Sequence, residues 1–201
     1  RGYISNARTH ISKAHQIITE NQGDYDYGLL WFMDAKTSLE EGRYKEALIS
    51  IDKAIKYESD LPQDQYTLAS YMLKTEILIR SSLFDEAYKL SNQIFELSKK
   101  YYSEPNEQQS KILNSLIEAE IHLGKLNLAE EHIKLSKSIL LYKPEAVSQE
   151  STTSIDFDLA NVLIAEADLA CVKKQYVDSI NLYQQAERIY GNRFDQNLRA
   201  D

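Results

Sequence analysis

Small side chains recur at Ala47, Ala87, Ala129 and Ser179, spaced by 40, 42 and 50 residues. Each stands three positions after a bulky residue: Tyr44, Phe84, Leu126 or Tyr176. A period of this size constrains the fold more than any other feature, because it demands one supersecondary unit copied along the chain. The clearest copy is 30–55, LWFMDAKTSLEEGRYKEALISIDKAI. Trp31 and Ala35 stand four apart on one predicted helix, and Gly42-Arg43 supplies a turn. Tyr44, Ala47, Ile51, Ala54 and Ile55 follow at helical spacing on a second helix. Alternating large and small residues let two antiparallel helices approach closely without voids.

The rest of the chain reads as variations on that unit. Residues 3–20 carry Ile4, Ala7, Ile11, Ala14 and Ile18 on one face, in the register of the second helix of 30–55. They are expected to be the second helix of a repeat whose first helix lies upstream, so the chain reads as a piece of a longer protein. The first complete repeat spans 25–60 and the second 64–102, with Tyr71, Thr75 and Leu78 on its first helix and Ile94 and Phe95 on its second. Ser82 stands where the turn glycine belongs, a change that negative φ would tolerate. The third repeat spans 105–141, with Pro105 expected in the first helical turn. At 142–154, YKPEAVSQESTTS breaks the apolar period and reads as a loop insertion. A fourth repeat follows at 155–190, and 191–201 is a polar tail. The whole is one domain of one lone helix and four helix pairs, an all-α solenoid. Six glycines and three prolines leave too little punctuation for a sheet-rich alternative.

Charge and motifs remove several function classes. A formal net charge of −8, with no basic cluster longer than Lys99-Lys100 or Lys173-Lys174, argues against nucleic acid as a partner. No apolar run approaches the ~20 residues needed to cross a bilayer. The single cysteine, Cys171, excludes an internal disulfide and fits a reducing, cytoplasmic setting, although an exported parent with its signal removed would read the same way. Beside Val172 on a helix, Cys171 reads as a small apolar side chain rather than a nucleophile. His10, His15, His122 and His132 lack the spacing of a metal site, and no HExxH, paired cysteine or glycine-rich phosphate loop is present. Carboxylate pairs such as Glu40-Glu41 and Glu130-Glu131 read as solvated helix faces. Tyr44, Tyr71, Tyr176 and Tyr183 fall on packing positions. No catalytic residue, cofactor or metal is expected.

Trp31, Ala35, Gly42, Tyr44, Ala47 and Ala54 together resemble the tetratricopeptide repeat, and Ala167, Tyr176, Tyr183 and Ala186 repeat the likeness. Asp34 departs from it at a position that is leucine in the family. The ~40-residue period exceeds the family's standard of about 34 residues, as in the extended repeats of kinesin light chains. The resemblance implies a right-handed α-α superhelix whose concave wall is built by the first helix of each pair. It places groove positions at Phe32, Lys36 and Leu39; at Met72, Glu76 and Ile79; at Asn114, Glu118 and Ile121; and at Ile164, Asp168 and Cys171. Such a groove is apolar with an acidic stripe toward its C-terminal half, suited to a basic, amphipathic peptide or helix of a protein partner. The implied function is a non-catalytic protein-interaction scaffold. The alternative is a sensor domain of a larger bacterial signalling or transcription-regulatory protein that binds a small peptide. Exposed solenoid ends, at Ile4 and Ile11 or on the C-terminal helix, would allow a homodimer.

Overall fold

The computed structural model describes residues 2–21, 27–58, 65–102, 105–141 and 152–197. These residues form α1 (Gly2–Asn21), α2 (Tyr27–Glu40), α3 (Tyr44–Glu58), α4 (Gln65–Arg80), α5 (Phe84–Tyr101), α6 (Glu107–His122), α7 (Leu126–Leu141), α8 (Thr152–Val172) and α9 (Tyr176–Asn197), with no strand among them. Two ends differ from expectation. Helix α8 begins at Thr152, inside the expected 142–154 loop, of which 142–151 lies outside the described residues. Helix α9 runs through Gly191 to Asn197, so the first part of the polar tail is helical. Glycine within a helix costs only about 1 kcal/mol against alanine, too little to stop an established helix.

One turn is used four times. After α2, the Gly42 N–H donates to the Leu39 carbonyl at 2.9 Å and the Arg43 N–H to Ser38 at 2.8 Å. The same pair of bonds closes α4 (Ser82 to Ile79, Leu83 to Leu78), α6 (Gly124 to Ile121, Lys125 to Glu120) and α8 (Lys174 to Cys171, Gln175 to Ala170). This is the double-bonded C-cap that needs one residue in left-handed backbone. Gly42 and Gly124 supply it at φ 72° and 70°, but Ser82 and Lys174 adopt φ 60° and 61° with ordinary side chains. The negative φ expected at Ser82 is therefore not what the turn takes. Pro105 also differs from expectation: it precedes the N-cap rather than entering the helix. Asn106 caps α6, accepting from the Gln109 N–H at 3.2 Å while Gln109 Oε1 accepts from the Asn106 N–H at 3.3 Å.

The helices group into two compact units, Arg1–Glu86 and Ala87–Asp201. In the first unit, α2 and α3 enclose Ala35, Leu39, Ala47, Ile51 and Ala54, and α4 adds Leu73 and Ile77. Trp31, Phe32, Tyr44, Leu48 and Ile55 pack around that cluster, with Trp31 between the His15 ring at 4.4 Å and Lys53 Nζ at 3.8 Å. Helix α1 packs on α2. Ile11 is buried, so it is not available as the dimer contact anticipated from sequence; Ile4 and Ile18 lie outside the described side chains.

A polar inlay joins α1 to α2 and explains Asp34. The Arg8 guanidinium reaches Asp34, Ser38 Oγ at 2.9 Å and Glu41 Oε2 at 2.8 Å, while Ser50 Oγ donates to Asp34 at 2.6 Å. Hydrogen bonding to Arg8 holds the Glu41 carboxyl below the usual carboxylate range.

In the second unit α8 is central, packing on α6, α7 and α9. Its sequence is accordingly apolar nearly all round. Small polar residues fill tight spots; Ser91 Oγ is buried there without a hydrogen-bond partner, while others find one. Ser179 Oγ donates to the Ala167 carbonyl at 2.8 Å, and the Ser110 and Ser136 hydroxyls share a 2.6 Å bond.

Candidate interaction surface

The groove positions in the first unit are occupied unevenly. Phe32 is half-buried against the core cluster, Met72 is half-buried, and Lys36 is exposed. Leu39 and Ile79 are only 3% and 7% exposed, so they are core residues and offer nothing to a partner. Their carbonyls accept the turn bonds from Gly42 and Ser82, and Leu39 is drawn under the returning helix against Ala47. Glu76 keeps more than a third of its surface open, yet its carboxyl is raised above the ordinary glutamate value. Desolvation is the main cause, opposed by Arg80 and Lys36 and reinforced by Glu40. Lys36 and Glu76 make the middle positions of α2 and α4 mixed in sign, the acidic part of the stripe being expected further along the chain at Glu118 and Asp168.

In the second unit α6 and α8 pack together and present Asn114, Glu118 and Ile121 beside Ile164, Asp168 and Cys171. Ile121 and Ile164 are half-buried, and Glu118 is exposed. Cys171 is exposed rather than serving as core. Asp168 accepts a hydrogen bond from the Tyr183 hydroxyl of α9. That bond, then burial, pushes the Tyr183 phenol up to about 12. Tyr183 and Tyr176, expected as packing residues, are 41% and 57% exposed, because among the described residues no helix covers that side of α9. Asn114 is half-buried, and its Oδ1 atom is fully buried with no hydrogen-bond partner.

A charged cluster at one end of this face was not foreseen. Asp158 of α8 is 4% exposed, with its Oδ2 atom 3.7 Å from Lys111 Nζ of α6, and Lys111 also pairs with Glu107. Desolvation raises the Asp158 carboxyl to about 6, with Lys111 opposing and Glu107 adding to the rise. Nothing in the local sequence marks it, because the partners lie on helices far apart in the chain.

Among the described residues no three His, Cys, Asp or Glu side chains gather as a metal site. His15 packs on Trp31 with the rings tilted at 54°, His132 Nδ1 lies 3.0 Å from both oxygens of the fully buried Glu120, and His10 and His122 are exposed. A cavity of about 270 Å³ lies among α7, α8 and α9. His122, Asp168, Cys171 and Glu118 are not among its lining residues. At about 100° per residue it faces the opposite side of α8 from Ile164 and Asp168. No described helix is long and apolar enough to cross a membrane.

No protein-family model matches this chain, and no curated protein matches it. Solved structures do. TPR-like repeats from Podosopora anserina, ascribed to a kinesin light chain, are 14% identical, with 95% of this chain and 89% of that one covered at a TM-score of 0.67. A point variant of the same repeats gives 14% identity, 96% and 90% coverage and a TM-score of 0.69. BtubC (BKLC) from P. vanneervenii is also 14% identical, with 94% and 90% covered at a TM-score of 0.53. Helix pairs, turns and these likenesses agree: the chain has the all-α, TPR-type helical repeat fold.

Proposed function

We propose that the chain is a non-catalytic protein-interaction scaffold that takes a peptide or helix of a partner on the exposed faces of its first helices. The α6–α8 face carries this reading. It sets half-buried Ile121 and Ile164 beside Glu118 and Asp168, with Asn114 Oδ1 buried and unpartnered. A buried acceptor without a donor costs about 1–3 kcal/mol, and because Oδ1 itself is covered, a partner's donor meets it only once the half-buried Asn114 side chain turns outward. In the first unit, Phe32, Met72, Lys36 and Glu76 supply a smaller apolar patch with charges of both signs. The likeness to TPR-like repeats adds analogy, and the exposed thiol of Cys171 suits a reducing, cytoplasmic setting.

The test is affinity capture from the source cell's lysate with wild type beside an Ile164→Ala/Asn114→Ala variant that still melts cooperatively. A protein held by wild type and lost by the variant supports the reading. Equal capture by both removes the α6–α8 face from it.

A second copy of the chain is a further partner under this reading. Tyr176, Ile180 and Tyr183 form one stripe on α9, with Ile180 56% exposed and Val177 beside it. Light scattering should show mass rising with concentration, and Ile180→Glu should hold the chain at monomer mass. A wild type that stays monomeric at every concentration would remove this pairing.

A further inference from the structure

The cavity among α7, α8 and α9 is fenced by two ion pairs that run between α7 and α8 in antiparallel register. Lys173 Nζ reaches Glu130 Oε2 at 2.6 Å at one end, and Lys137 holds Glu166 at the other. Between them the floor is apolar, made by Ile133, Leu169, Ala170 and, from α9, Leu182. The small Ala170 side chain leaves the space. Its volume of about 270 Å³ falls below the ~300–1,000 Å³ of small-molecule and cofactor pockets, so it suits one side chain better than a whole cofactor.

Charge selects the occupant. Glu130 is shared by Lys173 and Lys134, which hold its carboxyl below the usual range, and Glu166 is engaged by Lys137. Asp178, in the first turn of α9, also lines the cavity and makes no ion pair among the described residues. An anion entering here would have to draw Lys173 away from Glu130 and would then meet Asp178. A cation meets an unpaired carboxylate directly, and its methylene stem can lie on the apolar floor. The net charge of −8 adds long-range attraction for a basic partner.

We propose that this cavity is a binding site for a single arginine side chain of a partner protein. The aliphatic stem lies over Leu169 and Leu182, and the guanidinium pairs with Asp178. The site lies on the side of α8 away from Ile164, so it is separate from the surface proposed above and stands or falls by itself.

The probe is N-acetyl-arginine methylamide, titrated into the ¹⁵N-labelled full chain, with the citrulline analogue as a neutral control of the same shape. Saturable amide shifts confined to Leu169, Ala170, Gln175, Asp178 and Leu182 are expected for arginine, with citrulline at least about tenfold weaker, as a lost charge-assisted bond implies. Asp178→Asn, checked for an unchanged melting temperature, should weaken the arginine probe to the citrulline level, whereas Ile164→Ala should leave its affinity unchanged. Absence of saturable shifts in the wild type would overturn the proposal. So would equal response to both probes, or full binding by Asp178→Asn.

Discussion

Left-handed backbone at Ser82 and Lys174 is the clearest local cost in the chain. Non-glycine residues in this region carry strain of roughly 1–2 kcal/mol, from which glycine's greater loss of chain entropy must be subtracted. Ser82→Gly and Lys174→Gly should each stabilise by about 0.5–1 kcal/mol in urea denaturation. Gly42→Ala should destabilise by a similar amount, even though a Cβ there meets no atom within 4 Å. The contrast isolates backbone strain from crowding, and a neutral result at all three positions would show that these turns relax without it. Sequence placed the turns correctly at Gly42 and Gly124, because glycine announces positive φ. At Ser82 and Lys174 the same geometry is imposed by the three-residue link between helices, and the side chain gives no sign of it.

At the scale of the helix pair, the small-residue register carries the strongest expectation. Ala47 and Ala129 have no exposed surface, so leucine at either should overpack its pair and cost ~1–3 kcal/mol. An unchanged melting temperature would contradict the register. The α6–α8 contact adds a pH dependence. Asp158 is raised from 3.8 to about 6 in the folded chain, so the folded state binds its proton more tightly than the unfolded state does. Its contribution is fully present below about 4 and lost as pH rises through about 6. Glu107 and Lys111 act on it from α6, and its charge in turn adds to the burial that raises the Tyr190 phenol of α9. Asp158→Asn should therefore stabilise relative to wild type, more at pH 7.5 than at pH 4.5, by on the order of 1–2 kcal/mol. Parallel pH curves for the two proteins would sink this assignment. Helical period and small residues made the pairs legible in sequence. The Arg8–Asp34 and Lys111–Asp158 contacts were not, because each joins helices whose mutual register is set only once the fold exists. Leu39 and Ile79 were misplaced for a related reason: a stripe position next to a tight turn is covered by the returning chain.

For the molecule as a whole, a repeated chain unfolds according to which neighbours a substitution touches. Trp31, the one tryptophan, sits in the first unit between His15 and Lys53, so its fluorescence reports that unit, whereas far-UV circular dichroism reports all the helices. Ala47→Leu acts on the cluster against which Trp31 packs, and should lower the urea midpoint seen by fluorescence at least as much as that seen by dichroism. Ala129→Leu acts in the second unit, and should lower the dichroism midpoint while moving the Trp31 transition less. If both substitutions shifted both probes equally, unfolding would be all-or-none and the chain would behave as one cooperative body. Divergent midpoints would mean that each unit holds its own stability, so a partner gripping the α6–α8 face would protect the second unit from urea without a matching gain at Trp31.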